Sequence, residues 1–351
     1  MLSVLAYSQL DVNQRQIGLP LRRCNLKLPF VRHVCLTVLC VYMSLSSPLQ
    51  AQTPAPVKDA AKPLMEAKQV VPNVYYVQGV SELGSSANQN FISNAAFVVT
   101  PAGVVVIDAL GSPELARRLL AEIAKVTKKP IHTVVLTHYH ADHIYGLQVF
   151  KDLGARIVAH GAAREYLTSD TARLRLEASR QDLWPWVDEK TRLVPADEWL
   201  TEPKTLTVGG VRFDIQPVGP SHTAEDLVVY MPQQKVLFAG DLVFRNRIPF
   251  VGQADSRHWI DAMQSLLKFD ARWVVPGHGP ISNDPKGDMT LTRDYLLYLR
   301  EVMGRAAKDM EPFESAYANT DWSKFEKMPL FKSANRMNAY NTYLLMEQEA
   351  K

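Results

Sequence analysis

Residues 133–143 have the sequence Thr133-Val134-Val135-Leu136-Thr137-His138-Tyr139-His140-Ala141-Asp142-His143, and they predict more of the fold than any other stretch. The apolar, β-branched start predicts a short buried strand. His138 and His140 are two positions apart in an extended segment, so both imidazoles point to the same side. Asp142 and His143 follow where the chain turns into a helix, and they can face the same cavity. Four possible ligands within six residues exceed what one tetrahedral zinc takes from a single segment.

Three further candidate ligands also follow predicted strands. They are His222 in Ser221-His222-Thr223, Asp241 at the end of Val236-Leu237-Phe238-Ala239-Gly240-Asp241, and His278 in Gly277-His278-Gly279. Each alone would be weak, because a single histidine or aspartate at a strand end is more often structural. With the first stretch they place five of the eight histidines after residue 51, and two aspartates, at strand exits. The pattern predicts one metal site assembled from several strands.

The cysteines of the sequence all lie within its first 51 residues, at positions 24, 35 and 40. The rest of the chain therefore has no thiolate ligand and no disulfide, and a metal there must be held by His, Asp or Glu. The remaining histidines match no motif, and we expect them to be structural or exposed: His132, His160 and His258.

Strand and helix patterns alternate along the chain in two similar halves. Alternating or β-rich runs predict strands at residues 74–78, 91–100, 104–108, 133–136, 155–159, 205–208, 211–217, 227–231, 235–239 and 273–275. Apolar periodicity predicts helices at residues 113–128, 161–183, 259–269 and 290–308. This order suggests two β-rich halves with helices outside. We divide the chain into a signal peptide (1–51), a flexible linker (52–69), a main domain (70–282) and a C-terminal helical extension (283–351).

The motifs resemble those of the metallo-β-lactamase superfamily. The His-x-His-x-Asp-His signature at 138–143, the later His-Thr, the Gly-Asp and the Gly-His-Gly occur in the family's order across residues 70–282. The resemblance implies an α/β fold, the αββα four-layer sandwich, here with a C-terminal helical extension. It also implies that metals bind at one edge of two facing sheets.

The same resemblance implies two zinc ions per chain. The first would be held by His138, His140 and His222, and the second by Asp142, His143 and His278. Asp241 would bridge them, as in the glyoxalase II-like branch, whereas the best-known lactamase branch has a cysteine there. Two cations can share a water and lower its pKa, giving a hydroxide that attacks a carbonyl. Asp142 would serve as the catalytic carboxylate that accepts hydrogen bonds from the nucleophile and helps to transfer its proton.

Two positions near these ligands leave alternatives open. Asp108 ends a predicted strand, and it either orients a ligand loop or is a plain turn residue. In the lactamase branch a lysine three residues after the bridging position binds the substrate carboxylate. Here that residue is Phe244, with Arg245 next to it. We therefore expect poor β-lactam hydrolysis unless Arg245 turns inward.

A closer similarity links the chain to exported zinc hydrolases associated with sulfur-oxidation and quinoprotein operons. It depends on the segment 242–259 and on Asn335-Arg336-Met337-Asn338. That group leaves the substrate open. We favour a hydrolase of a thioester, an ester or a lactone. A β-lactamase, or a mononuclear-iron enzyme similar to persulfide dioxygenases, remains as an alternative.

Charge argues for a small-molecule substrate and against nucleic acid. The net charge is +3, but the first 51 residues hold five basic side chains against one acidic. The remainder has 34 basic and 35 acidic side chains, which gives no electrostatic footprint for nucleic acid. Hydrophobic residues at 47% and charged residues at 21% exclude a disordered chain. The oligomeric state is left open.

The N-terminal segment resembles an export signal. An apolar run of 12 residues, 34–45, follows basic residues and precedes Pro48-Leu49-Gln50-Ala51, where a small residue permits cleavage. The run is short for a membrane span, so we expect no stable membrane anchor in the mature chain. Arg22-Arg23 also resembles a twin-arginine signal. The alternatives are ordinary secretion or, with no export, a buried N-terminal helix. The expected location is the periplasm or the medium.

We predict that the mature protein starts near Gln52. Mass spectrometry of protein from the native host should show loss of residues 1–51, because the order basic, apolar, small directs cleavage after Ala51. If export uses the twin-arginine route, joint substitution Arg22→Lys and Arg23→Lys should retain the protein inside the cell. An intact N-terminus beginning at Met1 would contradict the prediction.

Overall fold

The computed structural model describes residues 64–350 of the chain. The predicted signal peptide and most of the predicted linker lie outside these residues. Within them the strands form two sheets. The first sheet has seven strands, paired in chain order: β1 (Lys68–Val71), β2 (Val74–Val77), β3 (Ala95–Thr100), β4 (Gly103–Ile107), β5 (Ile131–Val135), β6 (Arg156–His160) and β7 (Glu198–Leu200).

The second sheet has five strands, also paired in chain order: β8 (Lys204–Val208), β9 (Val211–Pro217), β10 (Leu227–Met231), β11 (Val236–Phe244) and β12 (Trp273–His278). In the first sheet β1 to β4 pair antiparallel, and β4 to β7 pair parallel. In the second sheet only the β11–β12 pair is parallel. The carboxyl ends of neighbouring parallel strands lie at one sheet edge. The candidate ligands come after strands in the sequence, so they lie at this edge.

The helices of the described chain cover the outer faces of the sheets. In order they are α1 (Pro113–Val126), α2 (Ala141–Ile144), α3 (Leu147–Asp152), α4 (Ala163–Thr168), α5 (Asp170–Asp182), α6 (Ser256–Leu266), α7 (Pro285–Lys308), α8 (Phe313–Asn319) and α9 (Phe331–Glu349). Helix α1 begins at Pro113, and the side chain of Ser112 accepts a hydrogen bond from the peptide N–H of Leu115.

Strand β4 shows how the layers are held together. Val104 and Val106 pack against α1 and α3, whereas Val105 and Ile107 pack between the two sheets. All five residues of this strand are buried. The strand is therefore apolar on both faces, because a helical layer covers one face and the second sheet covers the other.

A separate apolar cluster joins the second sheet to the C-terminal helices. Leu237 of β11 packs there with Trp259 of α6, Leu296 and Leu299 of α7, and Ala339 of α9. The layers thus follow the order helix, sheet, sheet, helix, so the predicted αββα sandwich with a C-terminal helical region is confirmed.

Some predicted boundaries were wrong. Residues 91–94 are not part of β3, because their polar groups bind loops of the candidate site instead of a neighbouring strand. The helix predicted at 161–183 is two helices. It is interrupted at Ser169, whose extended backbone and side chain cap α5. The short strands β1 and β7 carry too few residues to give a pattern.

The folded chain also begins before residue 70. Met65 is buried in the cluster between the first sheet and its helices, and the peptide N–H of Ala67 donates to Glu122 at 3.2 Å. The segment 64–69, which composition assigned to a linker, therefore packs against α1. Between residues 64 and 350, none of the helices has the length and apolar character needed to cross a membrane.

Gly146, between α2 and α3, allows these helices to approach α1 closely. A Cβ atom there would lie 2.0 Å from the carbonyl oxygen of Ala109 and 2.7 Å from the Cβ of Ala116. Gly304 of α7 provides a matched comparison, because a Cβ there would meet only the flexible end of Met346, at 2.9 Å.

We predict that Gly146→Ala lowers the free energy of unfolding by about 1–3 kcal/mol, because a backbone carbonyl must move. Gly304→Ala should be neutral or gain up to about 1 kcal/mol from helix propensity. Urea unfolding of the chelator-treated proteins measures both. Equal stability of the two variants would contradict the steric argument.

Candidate metal centre

The seven predicted ligands lie together at one edge of the sandwich. The structure groups them into two sets whose ligand atoms lie within 4.8 Å of one another: His138, His140, His222 and Asp241, and Asp142, His143 and His278. The sets contain every site residue predicted from the sequence. His132, His160 and His258 belong to neither set.

Both sheets contribute to the centre. His138 and His140 lie in the loop after β5, and Asp142 and His143 lie in α2, the short helix that follows. The second sheet supplies the other ligands: His222 between β9 and β10, Asp241 in β11, and His278 at the end of β12. The centre therefore forms only when the two halves of the chain pack face to face.

Asp241 is inside a strand, whereas the sequence placed it at a strand end. Strand β11 continues to Phe244, and its pairing with β12 is irregular between Phe238 and Phe244. This irregular segment turns the carboxylate toward the other ligands. Gly277 of the neighbouring strand leaves the necessary space, because a Cβ there would lie 1.9 Å from Oδ1 of Asp241.

The Asp241 carboxylate contacts both sets of ligands. Its Oδ1 is 3.2 Å from Nε2 of His143, and its Oδ2 is 3.2 Å from Nε2 of His278. The same Oδ2 is 3.3 Å from Nε2 of His222 and 3.8 Å from Nε2 of His138. Asp241 thus occupies the position that a carboxylate shared by two cations requires.

Buried atoms without partners show that the residues fit a metal. Among the described residues, His138 Nε2, His143 Nε2, His222 Nδ1 and Asp241 Oδ1 are buried and accept or donate no hydrogen bond. Leaving such a group unpaired costs about 1–3 kcal/mol. Nitrogen and oxygen donors arranged around common points are the ligands of zinc and similar divalent cations, so cations held by the two sets would satisfy Nε2 of His138, Nε2 of His143 and Oδ1 of Asp241. His222 has its other nitrogen, Nε2, 3.0 Å from Nδ1 of His140.

The charges of the cluster are also compatible with a bound cation. Burial, reinforced by neighbouring histidines, holds the pKa of His138 and His140 well below the usual range, so both are neutral and able to bind a metal. Burial alone would raise the pKa of Asp142, but His143 and His278 outweigh it, and the pKa is lowered. The carboxylates of Asp142, Asp241 and Asp108 overcome the effect of burial at His143 and raise its pKa. Positive charge beside the two buried aspartates favours their ionised form, and a bound cation would supply that charge in place of protons on His143 and His278.

Asp108 orients ligands of both sets. Its Oδ1 accepts a hydrogen bond from the peptide N–H of Thr137 at 2.8 Å, and its Oδ2 accepts from the Thr137 hydroxyl at 2.8 Å. Oδ2 also lies 2.9 Å from Nδ1 of His143. Because a carboxylate only accepts, Nδ1 of His143 carries a proton, and Nε2 is the nitrogen that could bind a metal once it has lost its own proton. The hydrogen bonds favour an orienting role for Asp108 over that of a plain turn residue.

The network reaches His138 through Thr137. The Thr137 hydroxyl donates to Asp108, so its oxygen is free to accept from Nδ1 of His138, 3.1 Å away. This arrangement places the proton of His138 on Nδ1 and leaves Nε2 for a metal. One buried carboxylate therefore sets the tautomer of one histidine in each set.

His278 is oriented by a segment that the sequence assigned to a strand. Its Nδ1 donates to the carbonyl oxygen of Ile92 at 2.7 Å. The side-chain amide of Asn94 donates to the carbonyl oxygens of Pro276 and Gly279, both at 2.8 Å. Ser93 donates from its hydroxyl to the carbonyl oxygen of Asp142 at 2.5 Å. Residues 92–94 thus hold parts of both halves, and sequence reasoning missed them.

Asp226 shapes the loop that carries His222. It accepts hydrogen bonds from the peptide N–H of Thr223 at 2.8 Å and from the Thr223 hydroxyl at 2.9 Å. Burial raises the pKa of Asp226 to about 6, and burial together with Asp226 raises the pKa of Glu225 to about 7. The sequence signal for this loop is a threonine followed three residues later by an aspartate.

Aromatic side chains line one side of the centre. Phe244 stacks on His278 with centroids 5.1 Å apart and an interplanar angle of 4°, and Trp259 packs edge-on against His222 at 5.1 Å. Phe250 faces His140 and His222, with ring centroids 6.4 and 6.5 Å away. Arg245 forms an ion pair with Asp288 at 2.7 Å and donates to the carbonyl oxygen of Ile281. Arg245 is thereby committed to other partners, so the inward turn considered from the sequence does not occur.

Comparison with known families identifies the fold family. The family model described as the metallo-beta-lactamase superfamily matches residues 89–278, a range that includes all seven ligands. The chain belongs to the metallo-β-lactamase superfamily. Homologues in this superfamily include metal-dependent hydrolases, among them an alkylsulfatase and a β-lactamase, and the chain is an enzyme of this type. The predicted superfamily is confirmed, and the exported subgroup stays a prediction.

Individual relatives of this metallo-β-lactamase superfamily chain carry different names. The chain is 28% identical over 222 residues to a protein named Metallo-beta-lactamase type 2 from Bacillus cereus, which covers 62% of this chain and 77% of the relative. It is 26% identical over 242 residues to a linear primary-alkylsulfatase from Pseudomonas sp. (strain ATCC 19151), which covers 58% of this chain and 45% of the relative.

The similar solved structures also include a metallo-β-lactamase and an alkylsulfatase. A metallo-β-lactamase from Pontibacter korlensis has a TM-score of 0.53 at 27% identity and covers 67% of this chain and 99% of its own. A stereoselective inverting sec-alkylsulfatase from Pseudomonas sp. has a TM-score of 0.63 at 20% identity, covering 80% of this chain and 50% of its own. The likeness to the second shows the fold alone. The chain spans about half the length of these alkylsulfatases.

We predict that Asp108→Asn lowers zinc affinity by about 10- to 100-fold, the usual effect of removing a hydrogen-bond partner of a metal-binding histidine. The amide has only one oxygen, so its NH2 group must face either the peptide N–H of Thr137 or the hydroxyl and ring N–H that now donate to Oδ2. Competition with a chromophoric chelator measures the affinity. Asp214→Asn is the control, since Asp214 pairs at the surface with Thr205 and Arg212. Equal affinities in the two variants would refute the orienting role.

Proposed function

We propose that this chain is an exported hydrolase that binds two zinc ions and cleaves a carbonyl substrate, namely a thioester, an ester or a lactone. The observation that carries the proposal is the Asp241 carboxylate, which contacts histidines of both ligand sets at 3.2–3.3 Å. A carboxylate in that position can be shared by two cations. Export is supported by the N-terminal sequence pattern alone.

A two-metal centre accounts for more of the structure than a single iron. One iron held by His138, His140, His222 and Asp241 would leave Nε2 of His143 buried and without a partner. It would also leave the second set complete but unused, with Asp142 Oδ2 3.2 Å from Nε2 of His278. Two cations satisfy both sets and balance the buried carboxylates.

The two carboxylates have different access to substrate. Two zinc ions, when bound, lower the pKa of a shared water toward 7 and polarise the bond under attack. The side chain of Asp142 is 15% exposed, and that of Asp241 is 4% exposed. Asp142 is therefore the carboxylate that can accept a hydrogen bond from the nucleophile and take up or return its proton. Asp241 is committed to the four histidines around it.

Position 244, where the lactamase branch places the lysine that binds the substrate carboxylate, carries no charge in this chain, and the nearby Arg247 is buried with its guanidinium over the Phe244 ring, 5.5 Å from the centroid. Phe244 occupies that position and is stacked on His278, and Arg245 is paired with Asp288. A charge-assisted hydrogen bond contributes about 1.5–3 kcal/mol, so its loss weakens productive binding by roughly 10- to 150-fold. We therefore expect β-lactams to be poor substrates.

Sulfate-ester hydrolysis is a second candidate. It is favoured by the relative named linear primary-alkylsulfatase, which matches 58% of this chain at 26% identity. The chain spans less than half of that relative, so the match leaves most of its length without a counterpart. The ligand arrangement by itself is compatible with attack at carbon or at sulfur.

The test begins with the metal content of the purified chain. We expect about two zinc ions per chain by elemental analysis, because the two ligand sets are complete. His278→Ala should retain one ion, and Asp241→Ala should weaken at least one site. Protein isolated from the native host with one iron and no zinc would support the dioxygenase alternative.

Steady-state kinetics on the zinc-loaded protein then rank the substrates. The panel contains thioesters, aryl esters, lactones, alkyl sulfates, penicillins and carbapenems. We expect the highest kcat/KM for an activated acyl substrate and detectable but low values for β-lactams. A kcat/KM for a penicillin or carbapenem above that of every thioester, ester and lactone would overturn the proposal, and an alkyl sulfate in first place would favour the second candidate.

A further inference from the structure

The loop between β11 and α6 joins the metal centre to the C-terminal helix α9. On one side the loop presents Phe250 to His140 and His222, at centroid distances of 6.4 and 6.5 Å. Phe250 is only partly buried, although the residues before and after it are buried. An aromatic ring that borders the ligands and keeps an exposed face is placed to contact whatever approaches the centre.

On its other side the loop is held by Asn338, a fully buried residue of α9. The side-chain amide of Asn338 donates to the carbonyl oxygen of Pro249 at 2.7 Å and accepts from the peptide N–H of Val251 at 2.9 Å. These two peptide groups flank Phe250 directly. One side chain therefore fixes the backbone on both sides of the ring, as a neighbouring strand would.

Further bonds from the same part of the chain hold the rest of the loop. Asn341 donates to the carbonyl oxygen of Gly252 at 2.9 Å, and the peptide N–H of Ile248 donates to the carbonyl oxygen of Pro329 at 3.0 Å. Asn338 also donates to the hydroxyl of Tyr295 at 3.0 Å, which ties it to α7. The shape of the loop thus depends on residues that come much later in the sequence.

We propose that Phe250 is the specificity-determining residue for an apolar part of the substrate, and that Asn338 is the positioning residue that holds Phe250 over the centre. This inference rests on the proposed hydrolase function and names a feature of its substrate. A substrate whose non-reacting chain is apolar would lie against the exposed face of the ring, while its reacting carbonyl lies at the ligands. Short substrates would not reach this contact.

A merely structural role for Asn338 predicts a different result, and the chain offers a matched control. Asn335 lies one turn earlier on α9 and is equally buried. It bonds to the hydroxyls of Tyr295 and Tyr317, and the structure gives it no bond to the loop 245–252. Asn335→Leu and Asn338→Leu should therefore lower the free energy of unfolding to a similar extent. Only Asn338→Leu should change the position of the Phe250 ring.

The kinetic test compares p-nitrophenyl acetate with p-nitrophenyl hexanoate on the zinc-loaded full chain. Phe250→Ala and Asn338→Leu should raise KM for the hexanoate by about tenfold, the scale on which an apolar contact discriminates substrates. The KM for the acetate should rise less, so the ratio of the hexanoate KM to the acetate KM should increase in both variants. Phe250→Leu should restore most of the hexanoate binding, and Asn335→Leu should match the wild type. An unchanged KM in Phe250→Ala would overturn the proposal.

A second measurement needs no turnover and separates this inference from the proposed function. Place 4-fluorophenylalanine at position 250, load the protein with cobalt(II), and record the fluorine resonance. We expect a large paramagnetic shift, since the ring borders the ligand histidines. The fluorine shift should change in Asn338→Leu and keep its wild-type value in Asn335→Leu.

Two outcomes separate the proposals. If Asn338→Leu and Asn335→Leu give the same fluorine shift, the positioning role of Asn338 is refuted, even if the protein hydrolyses esters. If the wild type hydrolyses no substrate of the panel but the two variants differ in fluorine shift, the proposed function is refuted and the positioning role of Asn338 is not. Should Asn338→Leu fail to fold, Asn338→Asp, which keeps the acceptor for Val251, takes its place.

Discussion

The carboxylate of Asp108 is the contact on which the arrangement of the ligands depends. It accepts hydrogen bonds from Thr137 and from His143, and through the Thr137 hydroxyl it also determines which nitrogen of His138 carries the proton. Because the carboxylate is buried and can only accept, neither histidine ring can turn or change tautomer without losing a bond. The loop after β5 and the helix α2 therefore keep one geometry, and the ligands from the second sheet meet a fixed partner.

Much of the candidate site could be predicted because its ligands follow local rules. Alternation in an extended segment places His138 and His140 together, and strand ends bring distant histidines to the same edge. The supporting residues obey no such rule. Asn94 bonds to a carbonyl oxygen 182 positions later, and Asn338 bonds to a loop almost ninety positions earlier. An asparagine gives no periodic signal, and its partners are backbone groups that every residue carries, so only the folded chain reveals these contacts.

The fold was predicted well where burial alone decides it and less well near the centre. Strand β4 is an unbroken apolar run, and the sequence places it almost to the residue. By contrast, the predicted strand at 235–239 continues through Asp241, although an ionised carboxylate inside a buried strand opposes ordinary propensity. The strand prediction for residues 91–94 was wrong for a related reason, because groups of these residues hydrogen-bond to loops of the candidate site instead of to a neighbouring strand. Local preference and final structure disagree where chemistry takes priority.

The origin of the ligands in both sheets gives the ions a mechanical role as well. His143 lies in α2, which follows β5 of the first sheet, and His278 ends β12 of the second, so a cation held between them would cross-link segments far apart in the sequence. No cysteine follows residue 40, so a disulfide cannot make this connection. A ligand at a thousand times its dissociation constant stabilises the folded state by about 4 kcal/mol, which is comparable with a disulfide. Metal supply would then govern how long this enzyme survives as well as how fast it works.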